Sequence, residues 1–385
     1  MGQRAGDDRG SGVLPAAARG GLRAGLRRIR NRVAGARVRR LRLADWAPVP
    51  TLAVPAHPVA AAAVPAIDAH NHLGRWLSSD GSWMEPDVGR AIDMMDRANV
   101  RTVVNLDGRW GAELAANLDR YDRPHPGRFA TFCHVDWAEF TRTGRCEPLV
   151  RMLREGGDAG AVGLKVWKDL GFSVRDPGGE LVLPDDPRLG DLWDAAGELQ
   201  LPVLMHTGDP AAFFRPVDRH NERIEELTRW PGLRRHGRPP ALGRLLDAFE
   251  SVVERHPDTT FIGAHVANRA EDLAAVGALL DRCPNLVVDL SARASELGRQ
   301  PRAARELILA HPDRVLFGTD VFPLRSEEWA VYFRLLETED EHFAYSASEV
   351  PVQGRWRISG LGLPPEVLEA VYRTNARRVI TRLPG

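Results

Sequence analysis

Ile67-Asp68-Ala69-His70-Asn71-His72 has the alternation of a strand, with Asp68, His70 and His72 on one face and Ile67 and Ala69 on the other. Two imidazoles at i and i+2 can close on one ion, because a zinc-like metal takes imidazole nitrogen at about 2.0–2.1 Å. Asp68 lies one step deeper than the rings, a place suited to a group that orients them from behind. The rest of the chain reads as the supply of further parts to that site.

Short apolar runs recur downstream: Arg101 to Leu106, Phe129 to Val135, Gly160 to Trp167, Pro202 to His206, Thr259 to His265, Asn285 to Ser291 and Arg314 to Asp320. Amphipathic stretches alternate with them, among them Pro86 to Ala98, Leu189 to Leu199, Leu242 to His256, Glu271 to Asp281, Arg302 to Ala310 and Pro365 to Ile380. Eight strand and helix rounds predict parallel strands with crossover helices, closed as a single (β/α)8 barrel of the TIM type. An open doubly wound sheet is the alternative, but no glycine-rich phosphate loop follows the first strand. Asp169 to Asp186, Gly208 to Pro240 and Val321 to Leu363 are long and each follows a strand, so they are expected to cover the C-terminal mouth.

Ahead of the barrel, residues 1–45 read as a basic, disordered extension, rich in Arg, Gly and Ala, and residues 46–385 as the folded domain. The prolines between Trp46 and Pro65 suggest an extended lead-in. Lys+Arg and Asp+Glu balance at 52 each, so no net field draws the chain to nucleic acid or to an anionic membrane. Cys133, Cys146 and Cys283 are odd in number and lack a CxxC spacing, which points to free thiols in a reducing, cytoplasmic compartment. A small-molecule substrate and a homo-oligomer are the partners consistent with this composition.

Five of the strands end in side chains suited to metal chemistry: His70 and His72, then Lys165, His206, His265 and Asp320. One strand-end histidine is more often a packing residue, but such a set at one end of separate strands argues for a divalent metal site. The segments that carry it, IDAHNH (67–72), GLKVWKDLG (163–171), PVLMHTGDP (202–210), TFIGAHVAN (260–268) and VLFGTD (315–320), resemble the amidohydrolase superfamily, and more closely its amidohydrolase-2 branch of metal-dependent hydrolases and decarboxylases. The resemblance implies His70, His72, His206 and Asp320 as ligands, with His265 as a second-site ligand or a catalytic histidine. It implies zinc as the ion and Asp320, beside an activated water, as the catalytic acid/base.

Lysine occurs only at Lys165 and Lys168 in a chain otherwise using arginine, which draws attention to amine chemistry. Gly163, Lys165 and Trp167 share a face, so Lys165 is expected to look into the barrel and Lys168 away from it. Some superfamily members carboxylate the lysine of this strand and bridge two metals with it; the alternative is one metal and a plain ammonium that contacts substrate. Arg293 is placed to clamp a substrate carboxylate unless Glu296 pairs with it. Trp167 is a candidate pocket wall. His220, in a polar cluster with Asp209, Arg219 and Asn221, reads as a substrate contact or as solvated loop, and His134 as a pocket residue or a histidine satisfied by backbone.

The function expected on these grounds is hydrolysis of an amide, lactone or ester in a small organic molecule. Decarboxylation of an unsaturated or aromatic carboxylic acid on the same site is the alternative, and a noncatalytic metal-binding barrel is the remote one.

Overall fold

The structure, a computed structural model, describes residues 41–42, 45–46 and 48–383. The chain divides into two units, Met1–Leu52 and Ala53–Gly385. The expected basic extension lies almost wholly outside the described residues; within the part described, Arg42 pairs with Asp45 at 2.7 Å.

In the larger unit eight parallel strands follow one another: β1 (Ala66–Asn71), β2 (Val100–Asn105), β3 (Phe129–Thr131), β4 (Leu164–Val166), β5 (Val203–Met205), β6 (Phe261–Gly263), β7 (Leu286–Asp289) and β8 (Val315–Leu316). They form two ladders, β1-β2-β3 and β4 through β8 in sequence order. The seams between the ladders are closed by a few hydrogen bonds each. Cys133 bridges to Leu164 in parallel, with Lys165 N donating to Cys133 O at 2.8 Å. On the other side Ala69 N donates to Phe317 O at 3.0 Å and Asp320 N to His70 O at 2.7 Å. The cylinder is therefore complete, and most strands are shorter than their apolar runs because residues at the ends of the runs leave the ladder, those at the C-terminal ends to build the mouth.

Inside the barrel, residues from seven of the eight strands meet: Ile67 and Ala69, Val104 and Leu106, Ala130 and Phe132, Leu204, Ile262, Val287 and Leu316 belong to one buried cluster. Phe132 occupies the space a side chain at Gly163 would need, which is why a glycine interrupts the fourth strand's run. The alternate residues, such as Phe129, Leu164, Val203, Phe261 and Val288, pack outward against the helices. Those helices are amphipathic; Leu242–Arg255 buries Leu245, Leu246, Phe249, Val252 and Val253. Several are N-capped by aspartate, as where Asp87 accepts from Arg90 N and Asp272 from Ala275 N.

One expectation for β1 is overturned. Its register against β2 shifts between Asp68 and Asn71, so the alternation breaks and Asp68, aligned with Val103, turns outward while His70 and His72 turn into the mouth. Lys165 behaves as expected, aligned with the interior residue Leu204 of β5.

The long segments after β5 and β8 carry short helices of their own. Ser326–Glu337 buries Trp329, Phe333 and Leu336. The lead-in from Ala53 runs as an extended strap, fixed where His57 N donates to Asp340 at 2.6 Å and Ala63 N to Glu337 at 3.0 Å. Among the described residues, no helix is long and apolar enough to cross a membrane.

Candidate metal centre

At the C-terminal mouth, His70 Nδ1 faces Asp289 Oδ2 at 2.7 Å and His72 Nδ1 faces Asp107 Oδ1 at 2.6 Å. A carboxylate can only accept, so each ring carries its proton on Nδ1 and presents a bare Nε2. Those two Nε2 atoms are buried and have no hydrogen-bond partner, and the same is true of Asp320 Oδ1. They point at each other: Asp320 Oδ1 lies 3.8 Å from His70 Nε2 and 3.4 Å from His72 Nε2. His70, His72 and Asp320 thus offer three acceptor atoms within 4.8 Å of one another. Acceptors alone, buried together, require a cation, and two imidazoles with a carboxylate suit a divalent metal.

The other expected residues share the chamber in different ways. His206 and His265 have ring centroids 4.4 Å apart, and His265 is 4.9 Å from His70 by the same measure. His206 Nε2 donates to Gly208 O at 2.7 Å, which leaves its bare Nδ1 facing His265 Nε2 at 3.4 Å. It therefore stands beside the convergent group of three rather than within it. His265 Nδ1 donates to Ser291 O at 2.9 Å, and its Nε2 is 4.0 Å from Asp320 Oδ2. Burial pulls His70, His206 and His265 below the ordinary imidazole range, so the rings are neutral and fit to hold a metal.

His265 reaches this position by an irregular backbone. Alternation from Ile262 and Ala264 would send it outward, but His265, Val266, Ala267 and Asn268 all have φ between 53° and 59°, a single left-handed turn after β6. Each such residue costs roughly 1–2 kcal/mol, most of all a branched valine. Asp289 Oδ1 accepts from His265 N at 2.9 Å and helps hold that turn. Asp320 also has a positive φ, of 60°. Strain concentrated at the ends of β6 and β8 is where a site would place it.

Lys165 is buried, and its Nζ has no hydrogen-bond partner. Burial pushes its pKa down to about 8, against the pull of Asp320, Asp289 and Asp107. Lys168 instead pairs with Asp209 at 2.5 Å, and Arg235 holds the other oxygen of Asp209 at 2.7 Å. Trp167 is a wall of the chamber, with ring centroids 5.6 Å from His72 and 5.2 Å from His206.

Two expectations need correcting, and two left open are decided. Asp68 does not orient the rings: its carboxylate accepts from Thr319 N, Thr319 Oγ1 and Trp329 Nε1, because the register shift turned it outward. The ring-orienting carboxylates are Asp289 and Asp107, outside the expected set; each stands at or just past a strand end, and an acidic residue at that place is the sequence signal for the role. His220 is not brought to the chamber; it is exposed, contacts Arg219 at 3.0 Å and lines a separate cavity of about 410 Å³ with Arg215, Glu271 and Arg299. Glu296 pairs with Arg223 rather than with Arg293. Arg293 is buried, gives one N–H to Ala292 O at 2.9 Å, and its charge helps depress His265. His134 is satisfied by Leu106 O at 2.6 Å.

A cavity of about 310 Å³ opens beside Asp320, walled by Glu226, Ser295, Arg325, Glu328, Tyr345 and Gln353 among others. The cover after β8 contributes several of these, as the loop lengths foretold.

No curated protein sequence matches this chain. Solved structures share its fold at low identity. A 2,6-dihydroxybenzoate decarboxylase from Rhizobium is 15% identical with a TM-score of 0.54, covering 83% of this chain and 99% of its own. A dihydroxybenzoic acid decarboxylase from Polaromonas sp. JS666, determined with manganese and the inhibitor 2-nitroresorcinol, is 14% identical with a TM-score of 0.54, covering 83% and 97%. An uncharacterised TIM-barrel protein from Bordetella bronchiseptica is 16% identical with a TM-score of 0.52, covering 83% and 99%. Strand-end histidines and aspartates around one chamber fit what the family model finds over residues 67–382: the chain belongs to the amidohydrolase family Amidohydro_2.

Proposed function

We propose that this protein is a metal-dependent hydrolase of an amide, lactone or ester in a small organic substrate. The observation that carries the reading is the convergence of His70 Nε2, His72 Nε2 and Asp320 Oδ1, all buried and unpartnered. These three would hold the ion, with His206 Nδ1 beside them. A divalent ion there, zinc in our reading, supplies a Lewis acid and makes water more acidic.

The chain's own groups do the rest. Asp320 turns its second oxygen toward His265 Nε2 and is placed to take a proton from water and return it to the leaving group. His265, kept neutral by burial, presents a bare nitrogen that accepts a hydrogen bond from water or substrate. Lys165 is a pocket amine, or a bridging ligand if carboxylated. Trp167 screens the chamber from solvent on one side. Cys133, Cys146 and Cys283 are buried free thiols, consistent with a cytoplasmic setting.

Decarboxylation of an unsaturated or aromatic acid is the second reading, favoured by Arg293. This buried guanidinium forms no ion pair among the described residues, which suits it to receive a substrate carboxylate. One experiment separates the readings: incubate the zinc-loaded protein with panels of lactones, esters, amides and aromatic acids at constant pH. Formation of a new carboxylate with no carbon lost supports the hydrolase, and proton uptake with carbon dioxide release supports the lyase. Purified protein with well under one tightly held metal per chain would count against both.

A further inference from the structure

We propose that Asp289 is a positioning residue that fixes which nitrogen of His70 carries the proton, and that an isosteric amide at this position reverses it. Asp289 Oδ1 accepts from three donors: His265 N at 2.9 Å, Ser291 N at 3.1 Å and Ser291 Oγ at 2.5 Å. Its Oδ2 faces His70 Nδ1 at 2.7 Å. Backbone N–H groups cannot change role, so whatever atom stands at the Oδ1 position must accept.

The consequence for Asp289→Asn is fixed by counting donors. Its amide oxygen is held at the Oδ1 position, and its NH2 is left at the Oδ2 position against the ring. His70 Nδ1 must then accept, and the ring proton moves to Nε2, the atom that faces Asp320. Ser291 Oγ, 3.0 Å from His70 Nδ1, is a more distant acceptor and does not remove the clash of two donors at the shorter contact.

Asp107 behind His72 is the built-in control. It makes the same contact, Oδ1 to His72 Nδ1 at 2.6 Å, but its Oδ2 is buried without a partner. Asp107→Asn is therefore free to turn its amide oxygen to the ring and keep His72 protonated on Nδ1. The two substitutions remove the same charge behind neighbouring rings, but only Asp289→Asn changes the tautomer of its ring. The inference deepens the metal-centre reading, and it rests on that reading only for its second measurement.

The test is nitrogen NMR of the metal-free full chain labelled with ¹⁵N-histidine, in which protonated and bare ring nitrogens resonate apart. The wild type is expected to show Nδ1–H for both His70 and His72. Asp289→Asn should move His70 to Nε2–H and leave His72 alone, and Asp107→Asn should move neither. Chelator competition with Zn²⁺ and with Mn²⁺ should then show metal held about 10–100-fold more weakly by Asp289→Asn, and a smaller loss for Asp107→Asn. A His70 that keeps Nδ1–H in Asp289→Asn, or two variants that behave alike, overturns the proposal. Should Asp289→Asn not fold, a wild-type spectrum with the His70 proton on Nε2 overturns it equally. A wild type that takes up neither ion overturns the metal-centre reading, while the ring spectra still decide this one.

Discussion

Thr319 donates both its N–H and its hydroxyl to Asp68, at 3.0 and 2.6 Å, and so ties the residue just past the last strand to the first strand of the barrel. Trp329 Nε1 adds a third hydrogen bond at 2.7 Å, which docks helix Ser326–Glu337 on the same carboxylate. The seam between β1 and β8 has few ladder bonds, so this buried group takes over part of the closure.

Replacing Asp68 by alanine strands Thr319 N and Trp329 Nε1 in the interior and leaves the Thr319 hydroxyl only its longer contact with Asn71 Oδ1 at 3.3 Å. Hydrogen bonds to a buried charge contribute about 1.5–3 kcal/mol each, so Asp68→Ala should lose at least about 3 kcal/mol of stability. Asp68→Asn, which retains one acceptor, should lose less. Urea denaturation at neutral pH measures both. A loss below about 1 kcal/mol for the alanine variant would show that closure depends on other contacts.

His134 makes stability depend on pH in a predictable direction. Its ring is buried against Leu106 O and Trp76, and burial pulls its pKa down to about 3. A folded-state value below the unfolded one means that the unfolded chain takes up the proton first, so the stabilisation is present above about pH 6.5 and is lost as pH falls toward 3. Between pH 6.5 and pH 5 this group alone should remove about 2 kcal/mol. His206 and His265, also depressed by burial, add in the same direction. Urea titrations of the wild type and of His134→Gln across this range should differ in slope by the His134 contribution. Parallel curves would exclude it.

Much of this architecture is legible in the residues, and the failures have definite causes. Eight apolar runs at strand length, each ending near a mouth residue, give the barrel because periodicity reports burial directly. Lys165 is correctly turned inward by simple alternation, and it aligns with Leu204. Alternation fails where the backbone is irregular. The register shift in β1 sends Asp68 outward, and the left-handed turn after β6 brings His265 inward against its parity. Neither event has a local composition signal, since Val266 is among the residues least expected at positive φ. His220 fails for another reason: a polar loop residue has no periodic constraint, and only the packing of the loop decides where it goes. Asp289 carries a legible signal, because it lies in the predicted run Asn285 to Ser291 on the same inward face as Val287, and in the structure it ends β7.

The two lysines should separate cleanly in function. Lys165 Nζ is buried without a hydrogen-bond partner, and a pKa of about 8 leaves a fraction of it as free amine at neutral pH. Arginine is larger, stays charged and cannot be carboxylated, so Lys165→Arg should lower turnover by at least about 100-fold whichever role the amine has. Lys168→Arg keeps its pairing with Asp209 and should stay near wild type. Steady-state rates on whichever substrate the panel identifies make the comparison, and equal effects would mean that Lys165 has no special role.

Asp320 bears the heaviest load in the proposed chemistry, since one oxygen meets the bare nitrogens of His70 and His72 while the other faces His265. Asp320→Asn preserves size and removes both the negative charge and the proton acceptor. Loss of a general base alone is worth about 10²–10⁴-fold, so turnover should fall by at least about 10³-fold with a melting temperature close to that of the wild type. His206→Ala, which removes the ring beside the convergent group, should also lose nearly all turnover, chiefly through weaker metal retention. Treatment with a chelator should silence the wild type, and added Zn²⁺ or Mn²⁺ should restore it; the same addition should not rescue Asp320→Asn. Excess metal should partly rescue His206→Ala, because the three convergent atoms remain. Substantial activity in Asp320→Asn after chelation would place the chemistry elsewhere in the barrel.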